Sequence, residues 1–226
     1  MSTIWECAVR GEEYGSARFA RKVGEILQRN SKDVSLHLAA LLRAGRIPIE
    51  TTAAQAEWAA SQEAARILAA IGSRQVNPAS VVRVSDRILA MAHQCYMTNG
   101  RARRDVSSVG PPTTFEAGLS TVVSAVWASN KRVTGLSIPP NVTMTWNEGG
   151  SVLYGTIDDP KCGVTALYST ERIPAPLGAS TEAWDFVRTD SVGGSGFSSL
   201  ELLGFAELVL DAVEATNILG YGSNNG

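Results

Sequence analysis

The residues that most often carry out covalent chemistry are few in this chain, and none has an evident partner. There are two histidines, His37 and His93, and three scattered cysteines. His93 and Cys95 lie two positions apart on an expected helix, where side chains at that spacing point in different directions. Cys95 also falls on the apolar stripe of that helix, where a thiol is usually an inert core residue. We therefore predict structural histidines and assign no catalytic residue.

Recognisable metal and phosphate motifs are also missing. The chain has no Cys-x-x-Cys, His-x-x-x-His or His-Glu-x-x-His spacing, so neither a metal site nor another cofactor is predicted. The run Gly193–Gly196 precedes an expected helix and could offer amides to an anion. Because it lacks a preceding strand and the Lys of a phosphate loop, we interpret it as a flexible connector. We interpret Asp158–Pro160 as a turn.

The basic residues are the remaining group with a chemical role. Residues 1–104 hold 15 Lys and Arg against 9 Asp and Glu, a charge of +6, whereas residues 105–226 hold 5 against 13, a charge of −8. Of the 20 cations, 16 are Arg, whose planar guanidinium suits phosphate better than an ammonium does. Eight of them are predicted to contact nucleic-acid phosphates without base specificity: Arg18, Lys22, Arg29, Arg83, Arg87, Arg101, Arg103 and Arg104. The alternative is a solvated face with ordinary ion pairs.

Four helices are predicted to position these cations. Apolar spacing predicts the first over Glu12–Arg29 and the second from Ser31 to Gly45. Thr52 and Gln55 have capping-box spacing and open a third helix that stops at Gly72. Asn77 and Pro78 begin a fourth, whose apolar face runs through Met91 and Cys95 to an end at Gly100.

The period of the sequence changes in the second half. A connector from Arg101 to Pro112 precedes a fifth helix, opened by Thr113 and Glu116. Alternation then predicts a β-hairpin near residues 142–157, with Arg132–Ile138 and Gly163–Ser169 as possible flanking strands. Residues 173–196 are interpreted as irregular. A last helix begins near Ser198, capped with Glu201.

The predicted fold class is α+β and predominantly α-helical. An N-terminal bundle of about four helices is followed by a helix, a small antiparallel β-sheet and a C-terminal helix. The predicted domain division is a basic helical region at 1–104, a linker at 105–112 and an acidic α+β region at 113–226.

Localisation follows from patterns that the sequence lacks. No apolar run approaches the length of a membrane span, and Met1–Glu13 has no signal-peptide pattern. An odd, scattered set of cysteines favours a reducing compartment. We therefore expect a protein of the cytoplasm or of an assembled particle, with no membrane partner.

The function predicted from these features is a self-assembling structural protein of the viral coat or nucleocapsid kind. It would package nucleic acid, with RNA expected, and it would contact other copies of itself. A head-to-tail contact through its oppositely charged halves is one arrangement that these charges allow. One alternative is a small enzyme or ligand-binding protein with a site between the halves, lined by Trp127, Trp146, Tyr154, Trp184 and Asp185. Another alternative is a protein–protein adaptor that binds no nucleic acid.

Overall fold

The computed structural model describes residues 10–49, 55–98, 101–103, 112–131, 140–161, 163–172 and 191–222. After a helical stretch at residues 10–15, the helices are α1 (Ala17–Ile26), α2 (Ser31–Arg43), α3 (Ala56–Gly72), α4 (Pro78–Leu89), α5 (Phe115–Lys131) and α6 (Ser199–Gly222). The strands are β1 (Ala92–Thr98), β2 (Arg101–Arg103), β3 (Asn141–Asn147), β4 (Leu153–Asp159), β5 (Val164–Ser169) and β6 (Ser191–Phe197).

The strands form one antiparallel sheet in the order β2-β1-β5-β4-β3-β6. Helices cover one of its faces. At Gly72, the last residue of α3, an added Cβ would lie 2.5 Å from Met144 Sδ, and at Gly118 of α5 it would lie 2.8 Å from Ile157 Cδ1. Only glycine allows so close an approach of helix to strand. The prediction of a mainly helical α+β fold is confirmed.

One hydrophobic core joins both sides of the charge boundary. It contains Phe19 and Leu68 from the basic region together with Leu119, Met144 and Phe205 from the acidic region. The sheet is shared in the same way, because β1 pairs with β5 from Ala92–Ser169 to Thr98–Val164. The charge of the chain thus changes sign within one packed unit.

The first predicted helix is interrupted. Ser16 adopts an extended backbone, and its side chain accepts a hydrogen bond of 3.0 Å from the Phe19 amide, so a new helix begins at Ala17. The prediction of a continuous helix over Glu12–Arg29 was therefore wrong. The next helix is capped by Asn30, whose side chain accepts from the Lys32 amide, and Ser31 is its first residue.

Two of the other predicted helix starts are confirmed. The Asn77 side chain accepts from the amides of Ala79 and Ser80, and Pro78 occupies the first helical position. The Glu201 carboxylate accepts from the Ser198 amide at 2.7 Å, which is the reciprocal bond of a capping box.

The other two predicted starts differ. At α5 the cap is Thr114, which accepts from the Ala117 amide, and not the predicted Thr113. Gln55 precedes α3 without a side-chain capping bond, and Thr52 lies outside the described residues.

The fourth helix ends well before the predicted Gly100, and the chain continues as a strand. It stops at Leu89, and Ala92–Thr98 forms β1. A register shift between His93 and Cys95 disturbs the alternation that would have indicated a strand. The prediction of a helix to Gly100 was wrong for this reason. The expected connector also begins later, because Arg101–Arg103 pairs with β1 as β2.

The glycine-rich run is a strand and not a flexible connector. Ser191–Phe197 pairs with β3 along its length, from Val142–Phe197 to Trp146–Gly193. Glycine has a low strand propensity, so the pattern does not indicate a strand. Glycine is needed here because the neighbouring indole leaves no room for a side chain. A Cβ at Gly193 would lie 2.6 Å from Trp146 Nε1. The predicted hairpin and the strand near Gly163–Ser169 are confirmed, whereas Arg132–Ile138 lies outside the described residues.

A buried carboxylate ties the N-terminal segment to α3. Glu63 is fully buried, and its Oε1 lies 3.1 Å from Arg10 Nη2. The Tyr14 hydroxyl donates to Oε2 and the Ile49 amide donates to Oε1, both at 2.8 Å. Burial raises the pKa of the Glu63 carboxyl even though Arg10 opposes this shift. Burial also raises the pKa of Tyr14, so its hydroxyl remains a donor.

We expect Glu63→Ala to lower the free energy of unfolding by about 3–5 kcal/mol, because it leaves the Arg10 guanidinium buried without its counter-charge. Urea denaturation measures this loss. Glu25→Ala is the control, since Glu25 is an exposed partner of Arg21 at 3.9 Å and should contribute little. The double variant Arg10→Met/Glu63→Leu removes both charges and should cost less than Glu63→Ala alone. An equal or larger loss would contradict the stabilising role of the buried ion pair.

Candidate nucleic-acid interface

Two adjoining clefts lie where the helical layer meets the β3–β6 edge of the sheet. The first, called the histidine cavity, has a volume of about 200 Å³ and is lined by Arg29, Asp33, Val34, His37, Ile71, Arg74, Gln75 and Val76. The second, called the tryptophan cleft, has about 440 Å³ and is lined by Ser73, Gln75, Arg83, Val84, Arg87, Trp146, Asn147, Glu148, Gly149, Gly150, Leu153 and Val192. Gln75 borders both, so the two clefts are neighbours, and we refer to them together as the depression.

Four arginines border this depression, and we call them the arginine tract: Arg29, Arg74, Arg83 and Arg87. They come from three places in the chain. Arg29 lies between α1 and α2, Arg74 follows α3, and Arg83 and Arg87 lie one turn apart on α4. Three of the four were predicted from sequence, and Arg74 was not.

Arg29 is held against the edge strand β6. Its Nη2 donates to Ser195 Oγ at 3.2 Å and to the Gly196 carbonyl at 3.3 Å. The guanidinium also lies 5.8 Å from the centre of the Phe197 ring. All of these partners are uncharged, so the side chain is fixed in place and its positive charge is not neutralised.

Arg87 is held in the same manner by the turn between β3 and β4. Its guanidinium donates to the carbonyl oxygens of Gly150, at 3.2 Å, and of Ser151. Gly149 and Gly150 both have positive φ, which brings these carbonyls together in a tight turn. Arg87 thus positions the hairpin loop that forms one wall of the tryptophan cleft.

Arg74 and Arg83 are exposed, and among the described residues neither has a hydrogen-bond or ion-pair partner. Arg74 has a φ of 53°, in the turn that follows α3. It is a single cation in a connection, so no helical period could have predicted that it borders the same cavity as Arg29. These two side chains can reach a ligand without first breaking a contact.

The other predicted cations do not join the tract. Arg18 is exposed and Lys22 is partly exposed on α1, and neither lines the clefts. Arg101 and Arg103 lie on β2, at the opposite edge of the sheet from β6. With five strand spacings of about 4.8 Å between these edges, the separation is roughly 24 Å. Arg104 lies outside the described residues. The structure therefore places seven of the predicted residues in three separate groups.

The depression also contains acidic and apolar side chains. Asp33 lies in the histidine cavity and Glu148 in the tryptophan cleft, against four arginines. Val76 and Val192 are 77% and 65% exposed at its margins. The surface is therefore positive with apolar patches, a combination that suits bases as well as phosphates.

His37 forms part of the cavity floor. It is only 4% exposed, and its Nε2 lies 2.8 Å from the Gln75 carbonyl oxygen. Because a carbonyl only accepts, Nε2 carries the proton, and Nδ1 is the bare nitrogen of the neutral ring. Nδ1 is buried and has no partner in the described structure. Burial lowers the pKa of His37, although the Gln75 carbonyl and Asp33 oppose this shift.

The surroundings of His93 and Cys95 are aromatic and apolar. His93 packs against the rings of Tyr96 and Tyr168, with centroid distances of 4.6 and 5.3 Å. Cys95 packs instead with Tyr154 and Leu167, and burial raises the pKa of its thiol, so it is not an activated nucleophile. His93 and Cys95 thus both lie among aromatic and apolar side chains.

Of the five residues hypothesised to line a pocket between the halves, the structure describes Trp127, Trp146 and Tyr154. Trp127 is a core residue whose Nε1 donates to the Ala206 carbonyl at 2.7 Å. Tyr154 belongs to the small cluster with Leu167, whereas Trp146 lines the tryptophan cleft. Trp184 and Asp185 lie outside the described residues.

The described ranges contain neither a cluster of metal ligands nor a membrane-spanning helix. No group of three or more His, Cys, Asp and Glu side chains is arranged to hold a metal ion there. No helix in those ranges is both long and apolar enough to cross a membrane. Comparison with protein-family models, curated proteins and solved structures found no match to this chain.

The lowered pKa of His37 predicts a loss of stability in acid. The unfolded chain takes up a proton near pH 6.5, whereas the folded protein resists it, so stability falls as the pH drops below about 6.5. We expect the thermal midpoint of the wild type to fall more than that of His37→Gln between about pH 7.5 and 5.5. His93 has a pKa lowered by the same cause, so His93→Gln should flatten the curve separately. Parallel curves for the wild type and His37→Gln would contradict the assignment.

Proposed function

We propose that this chain is a self-assembling structural protein that packages nucleic acid non-specifically, in the manner of a viral coat or nucleocapsid protein. The arginine tract is the surface proposed for nucleic acid, and RNA is the expected partner. The observation that carries the proposal is the convergence of Arg29, Arg74, Arg83 and Arg87 from three chain segments onto one depression.

The state of these four side chains supports a phosphate contact. Arg29 and Arg87 are held by neutral acceptors, so they keep their charge and lose little further side-chain freedom when a ligand binds. Arg74 and Arg83 extend into solvent nearby. Binding phosphate here would release condensed counterions from the nucleic acid, which is the main source of non-specific affinity.

Self-assembly is proposed from the charges that remain outside the tract. On α6, Glu207, Asp211 and Glu214 are exposed at a spacing that places them on one helix face. On α1, Arg18 and Lys22 are spaced by one turn. A basic α1 face of one copy against an acidic α6 face of the next is a head-to-tail contact, which generates rings or filaments.

The nucleic-acid contact is tested with Arg74→Ala/Arg83→Ala. We expect weaker binding to random-sequence RNA, because the variant lacks two accessible cations. The variant should still fold, because neither side chain has a hydrogen-bond or ion-pair partner among the described residues. The dependence of log affinity on log salt should become shallower by about 0.7 for each phosphate that the variant no longer neutralises. Fluorescence anisotropy over a salt series measures both quantities.

The matched control is Arg43→Ala/Arg172→Ala. Both residues are exposed, and they line neither cleft. Each double variant removes two arginines, so the change in net charge is the same. Equally weakened binding in both double variants would attribute the affinity to net charge and would contradict an interface at the tract.

The assembly contact is tested with Asp211→Lys. We expect the wild type to elute as large species with nucleic-acid absorbance at low salt, and the variant to elute mainly as smaller species. Size-exclusion chromatography with light scattering measures this difference. A wild type that is monomeric at every salt concentration would overturn the proposal of self-assembly.

A further inference from the structure

The tryptophan cleft has a feature that a simple phosphate-binding surface does not need. Trp146 lies at the end of β3, where it lines the cleft beside Arg83 and Arg87. Its opposite residue on β6 is Gly193. A Cβ at Gly193 would lie 2.6 Å from Nε1, 2.9 Å from Cε2 and 3.2 Å from Cζ2 of the indole. The indole therefore rests directly on the backbone of β6, in space that only glycine leaves open.

The indole is partly exposed, and its N–H group has no acceptor among the described residues. Tryptophan N–H groups usually find a partner when they are enclosed by protein. Trp127 shows the usual arrangement in this chain, since its Nε1 donates to the Ala206 carbonyl. Trp146 thus presents a partly exposed ring that is supported by the backbone of β6.

The walls of the cleft supply complementary groups. Arg83 is exposed on the α4 side, and the opposite side is the turn Glu148–Gly150, held in place by Arg87. The side chains of Gln75 and Asn147 also line the cleft. A volume of about 440 Å³ lies within the range of small-molecule sites, and it is large enough for one nucleotide.

We propose that the tryptophan cleft takes one unpaired nucleotide, with its base stacked on the Trp146 indole and its phosphate on Arg83. This inference rests on the proposed function and specifies its substrate as single-stranded nucleic acid. A base inside a duplex is stacked on both faces and paired along one edge, so it cannot enter the cleft. Base–aromatic stacking is tolerant of sequence, which agrees with non-specific packaging.

The indole of Trp146 and the carboxylate of Glu148 favour this occupant over an acidic peptide. A carboxylate-rich segment would use the guanidinium groups, but it would leave the supported indole uncovered and would meet Glu148 inside the cleft. A base covers the ring, and its exocyclic amine can donate to the Glu148 carboxylate. An acidic peptide is therefore an outcome that the experiment has to distinguish.

The test compares a single-stranded RNA 10-mer of mixed sequence with the corresponding RNA duplex. Trp146→Leu keeps apolar bulk and removes both the stacking surface and the N–H donor. We expect this variant to bind the single strand roughly 5- to 150-fold more weakly, the range for removal of one base–aromatic stack, with duplex binding unchanged. Trp58→Leu is the matched control, because Trp58 is 47% exposed and lines neither cleft. Circular dichroism and thermal melting verify that both variants are folded.

Fluorescence gives a second measurement that does not depend on so large a change of side chain. Binding of the single strand should quench tryptophan emission in the wild type and in Trp58→Leu, and the quenching should be much smaller in Trp146→Phe. Phenylalanine retains the packing against β6, so this variant also covers the case in which Trp146→Leu does not fold.

The outcomes separate this inference from the proposed function. If the wild type binds neither RNA, both fail. If it binds the single strand and the duplex equally, and Trp146 variants change neither affinity nor quenching, only the nucleotide site is overturned. If a polyglutamate peptide binds with a Trp146-dependent affinity at least equal to that of the single strand, the occupant is an acidic segment and the nucleotide assignment is wrong.

Discussion

Helix α3 is buried on almost every side, and this burial depends on the partners of the Glu63 carboxylate. A buried carboxylate without partners would cost several kcal/mol, whereas here Arg10, Tyr14 and the Ile49 amide all bond to it. Because seven of its seventeen residues are alanine, α3 packs closely against its neighbours, and it ends with Gly72 against Met144 of β3. The residues that follow, Ser73–Val76, line the two clefts. Helix α3 therefore connects the buried ion pair to the turn that lines both clefts, because Glu63 and Gly72 are about 14 Å apart along the helix axis.

Much of the fold could be predicted from sequence, because most helices have both an apolar period and a capping residue. Asn77 and Ser198 are clear cases, since each is a good cap followed by an apolar stripe. The strands β1 and β6 were not predicted, for two distinct physical reasons. At β1, Met91 and Cys95 continue the spacing of the preceding helix, and a bulge after His93 hides the alternation. At β6, the glycines that look like a flexible loop make room for the Trp146 ring on the neighbouring strand. That requirement arises only from strand pairing, which no local pattern contains.

The site was harder to predict than the fold. Helical spacing was sufficient to pair Arg83 with Arg87, because both lie on α4. It could not show that Arg29 meets β6, a contact between residues 166 positions apart in the chain. Nor could it indicate Arg74, which lies in a turn. Charge counting grouped Arg101 and Arg103 with the others, but the sheet places them at its far edge. Composition thus indicated a basic surface, and tertiary structure decided which cations share it.

The charge asymmetry between the two halves of the chain is reduced only in part by folding. Among the described residues, the ion pair of Arg66 with Glu116, at 2.8 Å, joins the basic region to the acidic region. The arginines that do have fixed partners in the tract bond to uncharged oxygens, which orient a guanidinium without cancelling its charge. Folding therefore brings four arginines together at the two clefts and leaves Glu207, Asp211 and Glu214 exposed on α6. A protein with this arrangement can reduce its electrostatic free energy by binding a polyanion, by contacting another copy, or by both, and packaging would use the two contacts together.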